Sequence, residues 1–369
     1  MANTNPLETL KIKKLIGFKQ ITPGVITGEL ITALKQCGVD VVTGYSQYSS
    51  EFSIGQMTVL GNTFYGFKVA TEKAKNAGYF TIRPVSDVVK LKEHPFQIGF
   101  RLTQSAVSQK NTSTTILSFS NSSQITLTQK ITTNIEDSSV YYEVVLSVAK
   151  DSRGNDTIVA DVYVNKQKFS KGSALLNTTS AFLMQLGGQL VTDTDAGFSY
   201  MVGDMYVAEL DYNSDGTVTP QLLGNITLEP FKVSAYSGDK HTNTKGNDIL
   251  TAINTLDPNN DMGALSIKPV MQAATFTFEP PDITNGSIMG ASINIVYKDS
   301  AAPNNRLRYR ITEGTQSLPT DVITERQTDV AGYSTLTRIL NTPEGGGAWN
   351  ADNTRFALKL FNSETPEEE

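Results

Sequence analysis

The sequence predicts a mainly β chain with one or two short helices. Three observations carry that reading. Period-2 alternation recurs along the chain: in residues 157–165, Ile158, Ala160, Val162 and Val164 share one face of an extended strand, and Val159, Asp161, Tyr163 and Asn165 share the other. That is the pattern of a strand with one buried face. Hydrophobic residues make up 39% of the chain but charged residues only 18%, and Ser, Thr and Asn fill the polar positions, which suits sheets better than charged helices. Short strand-like runs also follow one another at intervals of about 8–14 residues, with turn clusters between them.

The elements read in order as follows. Residues 1–15 are polar, contain Pro6 and show no long periodicity, so they are expected to form an arm. Residues 28–36 read as a short amphipathic helix stopped by Gly38, with Cys37 at its end. Strands are expected at 55–61, 64–70 and 79–84, with turns at Asn62 and Gly78. The clearest follow at 96–103, 115–120, 124–131, 140–149 and 158–165; in the first, Phe96, Ile98, Phe100 and Leu102 alternate with Gln97, Gly99, Arg101 and Thr103. A short strand at 183–188 ends in a glycine pair, and 198–212 closes the series.

Four of these runs, residues 96–100, 116–119, 159–165 and 203–209, resemble the strand series of laminin G-like, concanavalin A-like jelly rolls. The resemblance covers about residues 50–235. It implies a β-sandwich in which the final strand returns beside the first and the Tyr163-Val164-Asn165 strand precedes a loop.

A polar linker is expected over 237–264, with a short helix capped by Asn247 in which Ile249, Leu250, Ile253 and Leu256 share a face. A second, smaller β-sandwich is expected over 265–362, with strands at 274–279, 292–297 and 306–311; in the last, Leu307, Tyr309 and Ile311 face inward and Arg306, Arg308 and Arg310 outward. Residues 333–360 run from a strand through a turn at Pro343–Gly347 and Trp349 into a last strand at 355–360. This is similar to the closing motif of a β-domain of tailed-phage particle proteins, although Asn350 stands where that family usually has Thr and the glycine triplet is long. Gly345 to Gly347 let the chain turn, and Trp349 can plug the end of the sandwich. Residues 363–369 form an acidic tail. The domain expectation is therefore an arm (1–15), a jelly-roll domain (16–236), a linker (237–264), a second sandwich (265–362) and the tail.

Composition narrows function. A chain of 369 residues is expected to form two domains. No run of about 18 apolar residues suggests a membrane span, and the N-terminus carries no apolar signal segment. One cysteine, Cys37, excludes an internal disulfide, and with only His94 and His241 in the chain it reads as structural rather than nucleophilic. The net charge of −6 leaves no footprint for duplex nucleic acid. Lys11, Lys13, Lys14 and Lys19 read as a solvated strand face, with docking to an acidic partner as the alternative. Asn-x-Ser/Thr triplets at Asn111, Asn121, Asn155, Asn177, Asn225 and Asn285 read as surface loops.

No hydrolase elbow, zinc-protease helix, phosphate loop or dinucleotide fingerprint is present in the sequence. Glu209, Asp211 and Asn213 alternate along one strand face, as the acids of jelly-roll glycosidases do, but Asn213 cannot ionise. Asp211-x-Asn213-x-Asp215-Gly216 begins like a calcium loop, yet Leu222 holds its twelfth position; Asp257-x-Asn259-x-Asp261 has Lys268 there. No catalytic, metal or cofactor residue is assigned. Sugar binding would use exposed aromatics, with Tyr45, Tyr48 and Tyr200 as candidates.

The phage resemblance implies a non-enzymatic structural component of a virion (head decoration, collar or tail appendage). Its partners would be other virion proteins and copies of itself, without cofactor, nucleic acid or membrane span. The alternative is a carbohydrate-binding, host-recognition module. A third reading is a glycoside hydrolase on the same scaffold.

Overall fold

The computed structural model describes residues 10–25, 41–45, 50–71, 79–85, 88–106, 113–115, 117–120, 132–134, 138–176, 182–186, 198–238, 241–254, 265–267, 273–280, 288–297, 307–317, 321–322, 334–343, 346–350 and 354–362. The chain divides into two compact units whose main boundary falls between Leu228 and Glu229.

The first unit contains β1 (Lys11–Ile16), β2 (Gly24–Val25), β3 (Val41–Tyr45), β4 (Ser50–Val59), β5 (Asn62–Thr71), β6 (Tyr79–Val85), β7 (Phe96–Ala106) and β8 (Ser113–Thr115). It continues with β9 (Leu117–Ser120), β10 (Thr132–Asn134), β11 (Ser138–Lys150), β12 (Asp156–Val164), β13 (Gln167–Leu175), β14 (Phe182–Leu186) and β15 (Phe198–Glu209). All named pairings are antiparallel. A nine-stranded sheet runs β13-β12-β11-β7-β15-β5-β4-β2, with β1 also on β15, and a four-stranded sheet runs β3-β6-β14-β9. The long last strand, β15, lies between β7 and β5 and receives β1.

The expected arm is partly strand. Lys11↔Glu209 through Ile16↔Met205 pair in register, and Leu10, Ile12 and Ile16 are buried. Leu10, Ile12 and Ile16 fall at even spacing, but Lys14 interrupts them at the register shift between Ile12 and Lys14.

One face of the large sheet is apolar. Ile98, Phe100 and Leu102 stand opposite Val144, Tyr142 and Val140, and Val144 and Leu146 stand opposite Val162 and Ala160. Phe100 and Tyr142 stack at 5.7 Å. Each of the large side chains buried here contributes roughly 1.5–3 kcal/mol. The opposite face carries Gln97, Arg101, Thr103 and Glu143, and these too are buried, at 0%, 6%, 0% and 2% exposure. Simple alternation would point them at water.

The second unit contains β16 (Lys232–Ser237), β17 (Thr242–Asn243), β18 (Leu265–Ser266), β19 (Ala274–Glu279), β20 (Ala291–Tyr297) and β21 (Leu307–Glu313). Then follow β22 (Gln316–Ser317), β23 (Asp321–Val322), β24 (Ser334–Leu340) and β25 (Phe356–Asn362). Its main sheet runs β16-β19-β25-β21-β22 with β23 on β21, and β20 pairs with β24. Tyr309 and Ile311 are buried, as alternation predicts, among Phe276, Trp349, Phe356 and Leu358. Trp349 lies 5.7 Å from the Phe356 ring and donates Nε1–H to Asn341 O at 3.3 Å.

Two expectations shift here. The segment before residue 237 is not the end of the first domain, because β16 is hydrogen-bonded to β19 in the second unit. The helix in the expected linker is Ile249–Asn254, and its cap is Asp248 rather than Asn247. Asp248 Oδ2 accepts from Thr251 N at 2.8 Å, the standard N-cap bond to the third helical amide. At its other end, Asn254 accepts from Val233 N and donates to Val233 O, both at 2.8 Å. The helix expected at 28–36, Cys37, the strand at 124–131, the Asp257–Asp261 run and the acidic tail lie outside the described residues.

Candidate functional site

The polar face of the large sheet is covered by residues 210–228, a strap that follows β15 and turns at residues 212–218 before running on to Leu228. At its start the Tyr212 hydroxyl accepts from Val148 N at 2.8 Å and donates to Leu91 O at 2.6 Å, and from Gln221 onward the strap is held mainly through its main chain. Leu210 N donates to Pro95 O at 2.8 Å. Gln97 grips one residue at both ends of its peptide, with Oε1 accepting from Gln221 N at 3.0 Å and Nε2 donating to Gln221 O at 2.9 Å. Glu143 accepts from Leu223 N at 2.8 Å and Gly224 N at 3.0 Å. Arg101 donates to Ile226 O at 2.6 Å, and Asp204 accepts from Leu228 N at 3.0 Å.

The strands are shaped for this. A register shift in β15 between Gly203 and Tyr206 places Asp204 at a bulge with φ of 46°, a left-handed conformation that Asp tolerates better than most residues. Its carboxylate then meets Arg101 Nε at 2.8 Å as well as the strap. Gly99 has no side chain because the Tyr206 ring and the Tyr141 hydroxyl occupy that space. Tyr206 donates to Glu143 Oε1 at 2.5 Å and accepts from Gln97 Nε2 at 2.6 Å. Burial pushes the Glu143 carboxyl above its usual range, and the Tyr206 hydroxyl, the two strap amides and Lys166 pull it back. Burial also raises Tyr141 and Tyr206 far above the ordinary phenol range. The network is a clamp for an extended backbone. Its residues lacked any motif in the sequence; the one signal was polar residues at every second position of β7.

The carboxylates singled out in the sequence are spent elsewhere. Glu209 pairs with Lys13 at 3.2 Å and Asp211 with Lys11 at 2.9 Å. His94 Nδ1 stands 3.4 Å from Asp211 and 3.8 Å from Glu209. Lys11 holds the Asp211 carboxyl below its usual range. Asn213 donates to Thr217 Oγ1 at 2.8 Å and Thr219 Oγ1 at 3.1 Å, and Asp215 accepts from Thr217 N at 2.9 Å. The calcium-like run is therefore a turn whose oxygens serve its own backbone and neighbouring cations. No cluster of three or more metal-ligating acids, histidines or cysteines occurs among the described residues. Lys11 and Lys13 serve intramolecular ion pairs.

Of the candidate aromatics, Tyr200 is corrected: it lies inside β15 with 1% exposure. A central strand is covered on both faces, so alternation alone could not tell which face of β15 meets water. Tyr48 lies outside the described residues; Tyr45 is in β3, its side chain undescribed.

The exposed part of the polar face lies beyond the strap, on β12 and β13. Tyr163 stands opposite Lys168 and Asp161 opposite Lys171. A register shift between Val162 and Tyr163 leaves Phe169 as the extra residue, 55% exposed. Lys168 Nζ approaches Asp161 Oδ1 at 2.9 Å as an ion pair without hydrogen-bond geometry. The β12–β13 turn is tight: Asn165 and Lys166 have φ of 50° and 65°, the left-handed pair that a two-residue hairpin requires. The Lys166 stem lies against Gly224 of the strap, so the turn and the strap meet. The result is a small floor of one tyrosine and alternating charges, with Phe169 beside it.

Neither a protein-family model nor a curated protein matches the chain by sequence. Among solved structures, the chain is similar to alginate lyase Aly36B at 10% identity over 54% of this chain and 97% of that one, with a TM-score of 0.36. It is similar to the tandem CBM22 domains of Paenibacillus barcinonensis Xyn10C at 9% identity over 98% and 92%, with a TM-score of 0.30. Lectin II from Ulex europaeus matches at 7% identity over 46% and 92%, with a TM-score of 0.26. These scores carry no inference about activity, and no virion protein is among the three. The class the strands and sheets themselves define is a mainly β protein of antiparallel sheets in two units.

Proposed function

We propose that the chain is a carbohydrate-binding protein that acts without catalysis and holds an oligosaccharide on the β12–β13 platform. One observation carries this: Tyr163 is a partly exposed aromatic ring on a rigid sheet, flanked by Asp161, Lys168 and Lys171 at fixed cross-strand positions. A sugar presents an apolar face and a rim of hydroxyls, and a ring beside charged donors and acceptors complements both. Phe169 adds a second exposed ring. The carboxylates named as candidates for hydrolysis are engaged by Lys11 and Lys13, which favours binding over chemistry. Host recognition from a virion surface is one setting for such a module, and mass spectrometry of purified particles tests that setting separately.

The test is a glycan array followed by calorimetry on the best binder. Micromolar binding that falls about tenfold in Tyr163→Ala, about 1.4 kcal/mol, supports the reading. Binding to no glycan, or binding untouched by Tyr163→Ala in a variant of unchanged melting temperature, overturns it.

A further inference from the structure

The chain carries a net charge of −6, yet Lys166, Lys168 and Lys171 fall within one turn and the start of one strand. The register places Lys168 and Lys171 on the same face as Tyr163 and Asp161. They stand opposite residues two apart on β12, hence about 7 Å from each other along the strand. Asp161 is the one carboxylate on this face of β12, and Lys168 already neutralises it. Lys171, opposite Asp161, has no ion pair among the described residues. Lys166 stands at the rim with its stem against Gly224, and its charge reaches Glu143 beneath the strap. The platform therefore carries three lysines in a row beside an aromatic ring, on a protein that is otherwise acidic, with Lys168 paired to Asp161 and Lys171 without an ion pair among the described residues. An edge strand can bear lysines simply to prevent pairing with another chain. That role needs only charge at the edge. It does not call for a tyrosine and a second aromatic between the lysines, nor for a lysine pinned in a left-handed turn.

We infer that the ligand of this platform is an acidic glycan, a saccharide chain bearing carboxylate or sulfate groups along its length. A row of cations suits a charge repeated along a polymer better than an isolated anion. Tyr163 takes the ring face, Lys171 and Lys168 take the anionic groups, and Asp161 accepts from hydroxyls. The inference rests on the platform reading above.

The experiment measures affinity of the full chain for four probes at equal length: a neutral β-linked hexaose, a hexauronate, a sulfated hexasaccharide and poly-glutamate. The expected result is at least about tenfold tighter binding of an anionic saccharide than of the neutral one. It should weaken between about 50 and 300 mM salt and fall about fivefold in Lys171→Gln, whose melting temperature should not change. The hexauronate and the sulfated probe distinguish carboxylate from sulfate as the charged group. Equal binding of the neutral hexaose, still lost in Tyr163→Ala, overturns the acidic-glycan inference and leaves the platform standing. Poly-glutamate binding as tightly as the saccharides overturns the inference, since charge alone would then suffice. Binding of none of the four overturns both.

Discussion

Tyr206 donates its hydroxyl hydrogen to Oε1 of Glu143 across 2.5 Å, under a strap whose Leu223 and Gly224 amides donate to the same carboxyl group. Glu143 is thus the acceptor for these three donors from two separate parts of the chain, with Gln97 Nε2 a longer fourth at 3.5 Å. Replacing it with Ala leaves all three without a partner. The expected cost is about 3 kcal/mol, seen as a lower denaturant midpoint. Hydrogen exchange at Leu223 and Gly224 should speed up more than exchange in β12. Protection of those amides at wild-type levels would mean that the strap is held by something else.

The same carboxyl sets a pH dependence. Burial raises its pKa, so the folded state binds the proton more tightly than the unfolded chain does. The stabilisation from this group is complete below the unfolded pKa and is lost as pH rises through the folded one. Glu143→Gln removes the titration. The stability of the wild type relative to Glu143→Gln should therefore be greatest near pH 4 and shrink towards pH 7. The exposed Asp151, Asp156, Asp211, Asp215 and Asp248, whose pKa values are lowered, act in the opposite sense but equally in both proteins. A constant difference across that range would refute the assignment.

Two glycines separate strain from crowding. Gly224 has φ of 84°, and an added Cβ would stand 2.7 Å from Cε of Lys166. Because a lysine stem can move, Gly224→Ala should cost mainly the backbone term, about 1 kcal/mol, and adding Lys166→Ala should recover little. At Gly99 the obstacle is the Tyr206 ring and the Tyr141 hydroxyl, both fixed by hydrogen bonds. Gly99→Ala should cost about 3 kcal/mol. Equal costs at the two positions in chemical denaturation would contradict this account.

In the second unit, Trp349 is 8% exposed and packs on Phe356. Trp349→Ala should destabilise that unit by about 3–5 kcal/mol, while the hydrogen-exchange protection of β7 and β11 stays unchanged. Loss of protection in both units together would show that they unfold as one.

Much of the strand pattern was legible in advance, because alternation reports directly on burial. Alternation predicts strands at residues 158–165 and 140–149, and β12 and β11 are Asp156–Val164 and Ser138–Lys150, with Ile158, Ala160 and Val162 all buried. Trp349, a plug by its place after the glycine turn, lies in the core. At Lys11–Ile16 the lysines read as a solvated strand face but the segment as a whole as an arm, because Lys14 interrupts the apolar series Leu10, Ile12, Ile16. The clamp was missed for a different reason. Gln97, Arg101, Glu143 and Asp204 recognise the main chain of the strap, and a main chain looks the same in every sequence. Tyr163 was placed on a polar strand face in the sequence, but its role depends on where the strap ends.

The strap is also the segment by which the chain leaves the first unit. Tension pulling on Glu229 would reach the Leu228–Asp204 bond first, then Ile226–Arg101, then the Gly224 and Leu223 bonds to Glu143, and last the double grip of Gln97 on Gln221. Bonds arranged in series peel one at a time at low force, whereas the long ladders of β11 and β12 share a load. A pull on Glu229 is therefore expected to strip the strap from the clamp one bond at a time, from Leu228 back to Gln221.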